Sequence, residues 1–410
     1  MHGLLVVHDD GMGMRFGGGH PTDARRHQLA IALSRAAGVL DGPHVSVEAC
    51  PGALDDESLA RVFAPAFIGA IRRYSAQPLL AATPEARQWG VGGDNNAYEG
   101  MHEDSARVCA ACVRAADAVL RGEVTRAFVP AAGAHHGMHN RASGFGIYNE
   151  TAITVRHLLD HGAERVAYVD LDVHHGDGTQ WIFYDEPRVL TVSVHESGRH
   201  LFPGTGFAAE TGGASAPGSA ANVALPPFAG DDAYRAAMGR IVEPVVRAFR
   251  PDVIVTQNGV DHHHADPLSH MLTTMPLYPE LWRRLRAIAD DVAGGRWIAL
   301  GGGGYDPCTA PPRAWAALAA EMAGVVLEDP VPESWRGTAV AAGCPEPPRG
   351  WTEDAGPPPD DARDRAAAAA AETAITQSEI ALARFHGLGE GRGVLPPGSR
   401  TGASGPRTGE

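Results

Sequence analysis

The chain has no lysine: all 34 of its basic residues are arginine. A catalytic or Schiff-base lysine is therefore excluded, and any lysine chemistry must involve a lysine on another molecule. Cysteine is scarce. Cys50, Cys109, Cys112, Cys308 and Cys344 are too few and too scattered for a disulfide framework. Cys109-x-x-Cys112 has no second pair and falls in a helix-like stretch, 102–120, where both read as buried small side chains. No apolar run approaches the length that spans a bilayer. The N-terminal M-H-G-L-L-V-V-H-D-D lacks the basic flank and long apolar segment of an export signal. The expectation is a soluble, reducing, cytoplasmic setting with no membrane contact. Positive charge is also short. A net charge of -15 without a basic stripe argues against nucleic acid as a direct partner.

The 410 residues, 44% of them hydrophobic and seven of them tryptophan, are ample for a sizeable core. Apolar runs at 4–7, 127–130, 166–171, 189–194, 253–257 and 297–300 read as buried strands. Helical patterns alternate with them at 22–37, 59–74, 102–120, 150–159, 233–249, 281–292 and 311–324. That alternation predicts an α/β fold, a single large domain whose central, mainly parallel sheet is flanked by helices on both faces. The domain is expected over 1–328. An extension or linker should follow at 329–361, a C-terminal helix at 362–386, and a disordered tail at 387–410.

Chemistry-bearing residues gather where the strands end. The stretch 168–178, Y-V-D-L-D-V-H-H-G-D-G, delivers Asp170, Asp172, His174, His175 and Asp177 in quick succession. Alternate side chains along a strand point the same way, so Asp170, Asp172 and His174 should lie on one face near its C-terminal end, where open α/β sheets place their ligands. Burying three such groups is unfavourable unless something pairs them, and a divalent cation is the simplest partner for Asp172 and His174. Three further strand ends contribute His135-His136, Asp261 and Gly304-Tyr305. Two aspartates and a histidine leave open positions on a divalent ion for water and a substrate carbonyl. His135 and His136 are proton carriers of the right kind if Asp170 and Asp177 orient them. Tyr305 follows a run of glycines and can present its hydroxyl to a developing oxyanion. No G-K-[ST] follows Gly301 to Gly304, so a Walker A loop is excluded. Together these are the parts for metal-assisted hydrolysis of an amide.

The ordered motifs G-A-H-H-G-M-H-N-R-A-S-G-F-G-I-Y-N, Y-V-D-L-D-V-H-H-G-D-G, T-V-S-V-H…F-P-G-T-G, Q-N-G-V-D-H-H-H-A-D-P and G-G-G-G-Y resemble the histone deacetylase family. Within it the chain looks most like the bacterial acetoin-utilisation deacetylases, over about residues 6–327. The resemblance implies an arginase/deacetylase-like fold. It implies zinc ligands at Asp172, His174 and Asp261, and tandem histidines at His135 and His136, partnered by Asp170 and Asp177 respectively. It places the carbonyl-polarising tyrosine at Tyr305 and a rim aspartate at Asp94. Phe145 and Phe202 would wall an acyl-lysine tunnel, with Gly144 beside them and Leu268 near the rim. Structural potassium ions are also implied, one at Asp170, Asp172, His174, Ser193 and Val194, a second at Phe183, Glu186 and Val189. The family mechanism runs through water activated on the metal, with His136 as the main base and acid and His135 as its electrostatic partner.

The implied substrate is an acetyl-lysine protein, more in keeping with a metabolic enzyme such as acetyl-CoA synthetase than with a histone. An acetylpolyamine amidohydrolase is the competing enzyme reading, and a catalytically silent acyl-lysine-binding scaffold the competing one of another class. Ferrous iron suits the mixed oxygen and nitrogen donors as well as zinc does. A bridging dimetal site is disfavoured, because Gly176 and His263 stand where further carboxylates would be needed. Two departures stand out: Gly146 replaces a cysteine common in relatives, which should leave the tunnel wall roomier, and His262-His263-His264 follows Asp261 directly. Loop or rim positions are expected for those histidines. Oligomeric state is not legible.

Overall fold

Short runs of apolar residues with no polar interruption can be buried on both faces at once, and this is what parallel sheets require. The computed structural model describes residues 3–388. Its strands are β1 (Leu4–Val7), β2 (Val45–Glu48), β3 (Arg126–Val129), β4 (Val166–Asp170), β5 (Val189–Glu196), β6 (Ala220–Leu225), β7 (Val253–Gln257) and β8 (Trp297–Leu300). They form one sheet in the order β2-β1-β3-β8-β7-β4-β5-β6, parallel throughout. All but the edge strand β2 are almost wholly buried.

Alternation along the strands divides the interior into two layers. Leu4, Val6, Phe128, Ile254 and Ala299 face one layer with residues from helices Leu277–Val292 and Ala310–Ala323. Leu5, Val7, Ala127, Val129, Ile298 and Leu300 face the other, with helices Met101–Leu120 and Glu150–Asp160. Cys109 and Cys112 are buried free thiols in that second layer. The predicted α/β class and two-sided covering are observed.

The differences have local causes. β2 and β6 escaped the sequence reading because V-S-V-E is half polar and A-A-N-V-A-L is half alanine, so neither has strong strand propensity. The helix expected at 59–74 is two helices, Asp56–Leu59 and Pro65–Ala76, because Pro65 cannot lie in a helix interior and instead starts the second. The helix expected at 233–249 is interrupted by a π turn, Met238–Val242, just before Pro244.

The region expected as an extension or linker, 329–361, is folded and packed. It carries the helix Glu333–Ala341, and its Val331, Trp335, Ala339 and Trp351 form a third apolar cluster with Leu29 and Leu33. Trp335 Nε1 donates to the Leu29 carbonyl at 2.9 Å. Cys308 and Cys344, two of the five cysteines read as too few and scattered for a disulfide framework, form a disulfide across 36 residues of sequence. Nothing in their spacing announces it; the fold of the extension brings them together. Helix Asp361–His386 then lies against β6, with Ser378 Oγ donating to the Asn222 carbonyl and Arg240 bonded to Glu372 and Glu379. It covers the edge strand that would otherwise be open to pairing. Of the tail expected at 387–410, residues 389–410 lie outside the described residues.

Trp335→Ala should lower the unfolding free energy by about 3–5 kcal/mol, the usual range for deleting a buried large aromatic. Denaturant titration checks this, and an unchanged midpoint would mean the extension is not part of the cooperative unit.

Candidate active site

The strand order brings the C-terminal ends of β3, β8, β7 and β4 side by side at the centre of the sheet. The loops leaving those four ends carry His135-His136, residues 301–305, Asp261, and residues 170–177 respectively. Four segments far apart in sequence therefore open onto one place, as parallel topology provides.

β4 stops at Asp170, so Asp172 and His174 do not share a strand face as expected. Their alternate placement survives in the loop for another reason. Asp170 Oδ1 accepts the Asp172 amide at 3.1 Å, and Asp172 Oδ1 accepts the His174 amide at 3.0 Å. Each carboxylate thus closes a turn two residues on. His174 Nδ1 lies 3.2 Å from Asp172 Oδ1 and 3.1 Å from Asp261 Oδ2. The remaining oxygens are held by the protein: Asp172 Oδ2 accepts from Gln257 Nε2 and from the Gly303 amide at 2.7 Å, and Asp261 Oδ1 accepts from the Val173 amide at 2.9 Å.

This cluster is short of positive charge. Burial and the neighbouring Asp172 push the Asp261 carboxyl up to about 8. Burial opposes protonation of His174, but hydrogen bonds to Asp172 and Asp261 outweigh it and raise the ring to about 10. A proton on His174 does part of what a cation would do. Two carboxylates and one imidazole, with ligand atoms all within 4.8 Å of one another, fit a divalent ion in both charge and donor type. Gly303 makes the approach possible, because any side chain there would overlap Asp261 Oδ2.

His135 and His136 stand beside this cluster. Their Nε2 atoms are 3.0 Å apart, and each Nδ1 bonds a carboxylate at 2.7 Å, Asp170 for His135 and Asp177 for His136. Tyr168 also donates to Asp170, at 2.6 Å. Burial disfavours charge on His135, yet Asp170 and Asp172 prevail and carry it up to about 9. Burial and the charge of His135 push His136 down to about 4, against the pull of Asp177. The two rings are thus shifted in opposite directions although they are adjacent in sequence. Tyr305 completes the group at 6.5 Å, ring centre to ring centre, from His174, and burial beside Asp261 and Asp172 keeps it a phenol.

Phe202 is partly exposed, with its ring 5.0 Å from His136, and Phe145 lies 5.7 Å from Tyr305. Phe145 has a positive φ of 65°, and Gly144 before it has φ 51°. A methyl group on Gly144 would overlap His136 Cδ2. Asp94 is exposed and lines an outer cavity of about 310 Å³ with Gly144 and Phe202. Leu268 is half-buried on the turn closed by Asp266 and lines neither this cavity nor the inner one. Gly146 leaves no extra room, because a Cβ there would sit 3.2 Å from Ala134 Cβ and from the Ser143 carbonyl. The expected roomier wall is therefore absent. Asp170 and Ser193 are register partners on β4 and β5, while Phe183, Glu186 and Val189 share the turn entering β5, where the Glu186 carboxylate is bonded to Arg188.

Several neighbours carried no sequence motif. Glu150 accepts the Gly133 and Ala134 amides, and burial lifts its carboxyl to about 8. Arg26 bonds the Gly302 and Gly304 carbonyls and lies over the Tyr305 ring at 5.5 Å. Both line an inner cavity of about 80 Å³ behind Tyr305. A lone Glu at a helix start and an Arg in an amphipathic helix look structural until the loops they support are in place.

The chain matches the histone deacetylase domain over residues 20–322. It is 38% identical over 317 residues to the acetoin utilization protein AcuC of Bacillus subtilis, covering 77% of this chain and 81% of that protein. It is 36% identical to AcuC of Staphylococcus xylosus over 326 residues, 78% of this chain and 83% of the relative. The crystal structure of the HDA15 HD domain shares the fold at a TM-score of 0.74 and 22% identity, covering 94% of this chain and 97% of the other. The family match and the shared fold thus define an amide deacetylase of the arginase/deacetylase type, with a candidate metal site at Asp172, His174 and Asp261. The chain belongs to the histone deacetylase family, and its similarity within that family is to the AcuC proteins.

Two outcomes are expected. Purified protein should carry one divalent ion that Asp261→Asn sheds; metal analysis giving full occupancy in that variant would reject the ligand assignment. Gly144→Ala should cut turnover by about 10²-fold through displacement of His136, with metal content unchanged; activity near that of the unaltered protein would show the close approach to be unimportant.

Proposed function

We propose that this protein hydrolyses the acetyl amide of N-ε-acetyl-lysine on protein substrates, metabolic enzymes such as acetyl-CoA synthetase among them. The observation that carries the reading is the tandem histidine pair: two rings in contact, each held by its own carboxylate, lining the inner cavity that Tyr305 and Asp172 of the Asp172–His174–Asp261 cluster also line. Zinc is the ion proposed for that cluster, with ferrous iron the alternative, and when bound it supplies Lewis acidity at the acetyl carbonyl. The remaining work belongs to side chains. Tyr305 donates its hydroxyl hydrogen to the carbonyl oxygen as negative charge develops there. Neutral His136 takes a proton from the attacking water and returns it to the departing amine, held in place throughout by Asp177. His135, charged and fixed by Asp170, stabilises the negative charge between those steps. Phe145 and Phe202 flank an extended aliphatic chain, and Asp94 receives backbone amides of a peptide at the mouth.

Potassium ions at the ends of β4 and β5 and at the turn through Phe183, Glu186 and Val189 belong to the same proposal, as does a cytoplasmic location. No described helix is long and apolar enough to cross a membrane. A second reading, acetylpolyamine hydrolysis, is favoured by the exposed Asp94 carboxylate on an acidic protein, which suits a cationic amine chain as well as a peptide.

Acetate release from an acetyl-lysine peptide and from an acetylated polyamine, each with and without chelator, separates the readings. Chelator-sensitive release from the peptide is expected, and release from the polyamine alone would transfer the proposal to the second reading. Tyr305→Phe should lose about 10²–10³ in kcat while keeping its metal. Near-normal turnover by that variant would remove Tyr305 from the mechanism.

A further inference from the structure

His262, His263 and His264 follow directly on Asp261, and none of the three joins the cluster around His174. His262 is core: its ring stacks on Tyr234 at 4.3 Å and its Nδ1 bonds Thr273 Oγ1 at 2.8 Å. His263 and His264 both turn to Asp354, some ninety residues later and within the folded extension. His263 Nε2 lies 2.9 Å from Asp354 Oδ2, and His264 Nε2 lies 2.6 Å from Oδ1. Asp354 also accepts the Met275 amide on Oδ2 at 2.8 Å and the Gly356 amide on Oδ1 at 2.9 Å. Each carboxylate oxygen therefore receives one imidazole and one backbone amide. Arg313 lies close enough to interact electrostatically with this carboxylate, and its hydrogen bonds go to the Gly350 and Glu353 carbonyls, which fixes the backbone leading into Asp354.

The donor types and distances would also suit a metal ion. The tautomer argues otherwise. The Ala265 amide donates to His263 Nδ1 at 3.2 Å, so the ring proton sits on Nε2 and points at Asp354. Protons fill this clasp.

The clasp holds a loop that serves the site twice. Asp261 opens the loop. Asp266, which closes it with its amide on the His263 carbonyl at 2.8 Å, accepts the Tyr305 amide on Oδ2 at 2.6 Å. A second tie reaches the same place from the other side, because Cys308, three residues past Tyr305, is bonded to Cys344 of the extension. The extension lies beyond the residues that match the family domain, 20–322. It nevertheless grips both the loop that begins with Asp261 and the loop that presents Tyr305.

We propose that Asp354 is a positioning residue for deacetylation, setting the Asp261 and Tyr305 loops through its bonds to His263 and His264. This rests on the amidohydrolase reading. Misplacement of reacting groups by about 1 Å can cost 10²-fold in rate, whereas the substrate mouth at Asp94, Phe145 and Phe202 does not touch the clasp. Loss of the clasp should therefore lower kcat and leave KM nearly unchanged.

The test compares Asp354→Asn and Cys344→Ser with the unaltered protein, and uses Trp335→Ala as a control that loosens the extension without removing either tie. Three quantities are read: kcat and KM on an acetyl-lysine peptide, melting temperature, and the visible spectrum of the cobalt-substituted protein, which reports the ligand geometry around Asp261. For Asp354→Asn the expectation is a fall in kcat of about 10-fold or more with KM within about twofold, and a shifted cobalt spectrum. Cys344→Ser should lower kcat alone, and Trp335→Ala should lower only the melting temperature. Asp354→Asn with unchanged kcat and spectrum but a lower melting temperature would reduce the clasp to a structural staple and overturn the proposal. Should Asp354→Asn not fold, unchanged kcat in Cys344→Ser overturns it instead. If the unaltered protein releases no acetate, the amidohydrolase reading falls, and the cobalt spectra alone still decide whether the clasp sets the site.

Discussion

Two carboxylates of like charge, Asp172 and Asp261, are fully buried on either side of one imidazole nitrogen. Water cannot solvate them there, and each can relieve the other only by taking a proton or sharing a cation. The surrounding structure is arranged to bear this. Gln257, Gly303 and Val173 each commit a donor to one outward oxygen and leave the inward pair directed at His174. A divalent ion held there would resolve the repulsion and would supply Lewis acidity at the same place. Stability and chemistry at this site thus have one electrostatic origin.

The histidine pair extends that field outward. His135 is raised by the carboxylates on its inner side and His136 is lowered by burial and by His135, so adjacent residues of one type are tuned in opposite directions. Charge neutralisation at Asp172 would weaken one of the influences holding His135 up, so the pair and the metal cluster are one coupled system. Burial, reinforced by the same carboxylates, keeps Tyr305 a phenol and so a hydrogen-bond donor near neutral pH.

Support for this arrangement comes from segments with no visible motif. Arg26 holds the carbonyls on both sides of Gly303 and packs over Tyr305, and Glu150 gathers the amides just before His135. The extension from 329 to 361 reads as a linker because its proline, glycine and charge content is high. Its buried Trp335 and Trp351 and its Asp354 clasp make it part of the domain instead.

The sequence by itself determined the α/β class, the strands that end at the site, and the identity of the residues that meet there. It could do so because apolar runs of strand length mark buried parallel strands, and because Asp, His and Tyr at such ends are unfavourable without a shared partner. Only the tertiary structure decided what those residues do to one another. The order β3-β8-β7-β4, the Cys308–Cys344 bond and the Asp354 clasp all join segments tens to hundreds of residues apart. Periodicity and motif spacing report local conformation, and charge balance in a buried site depends on distances that no local pattern encodes.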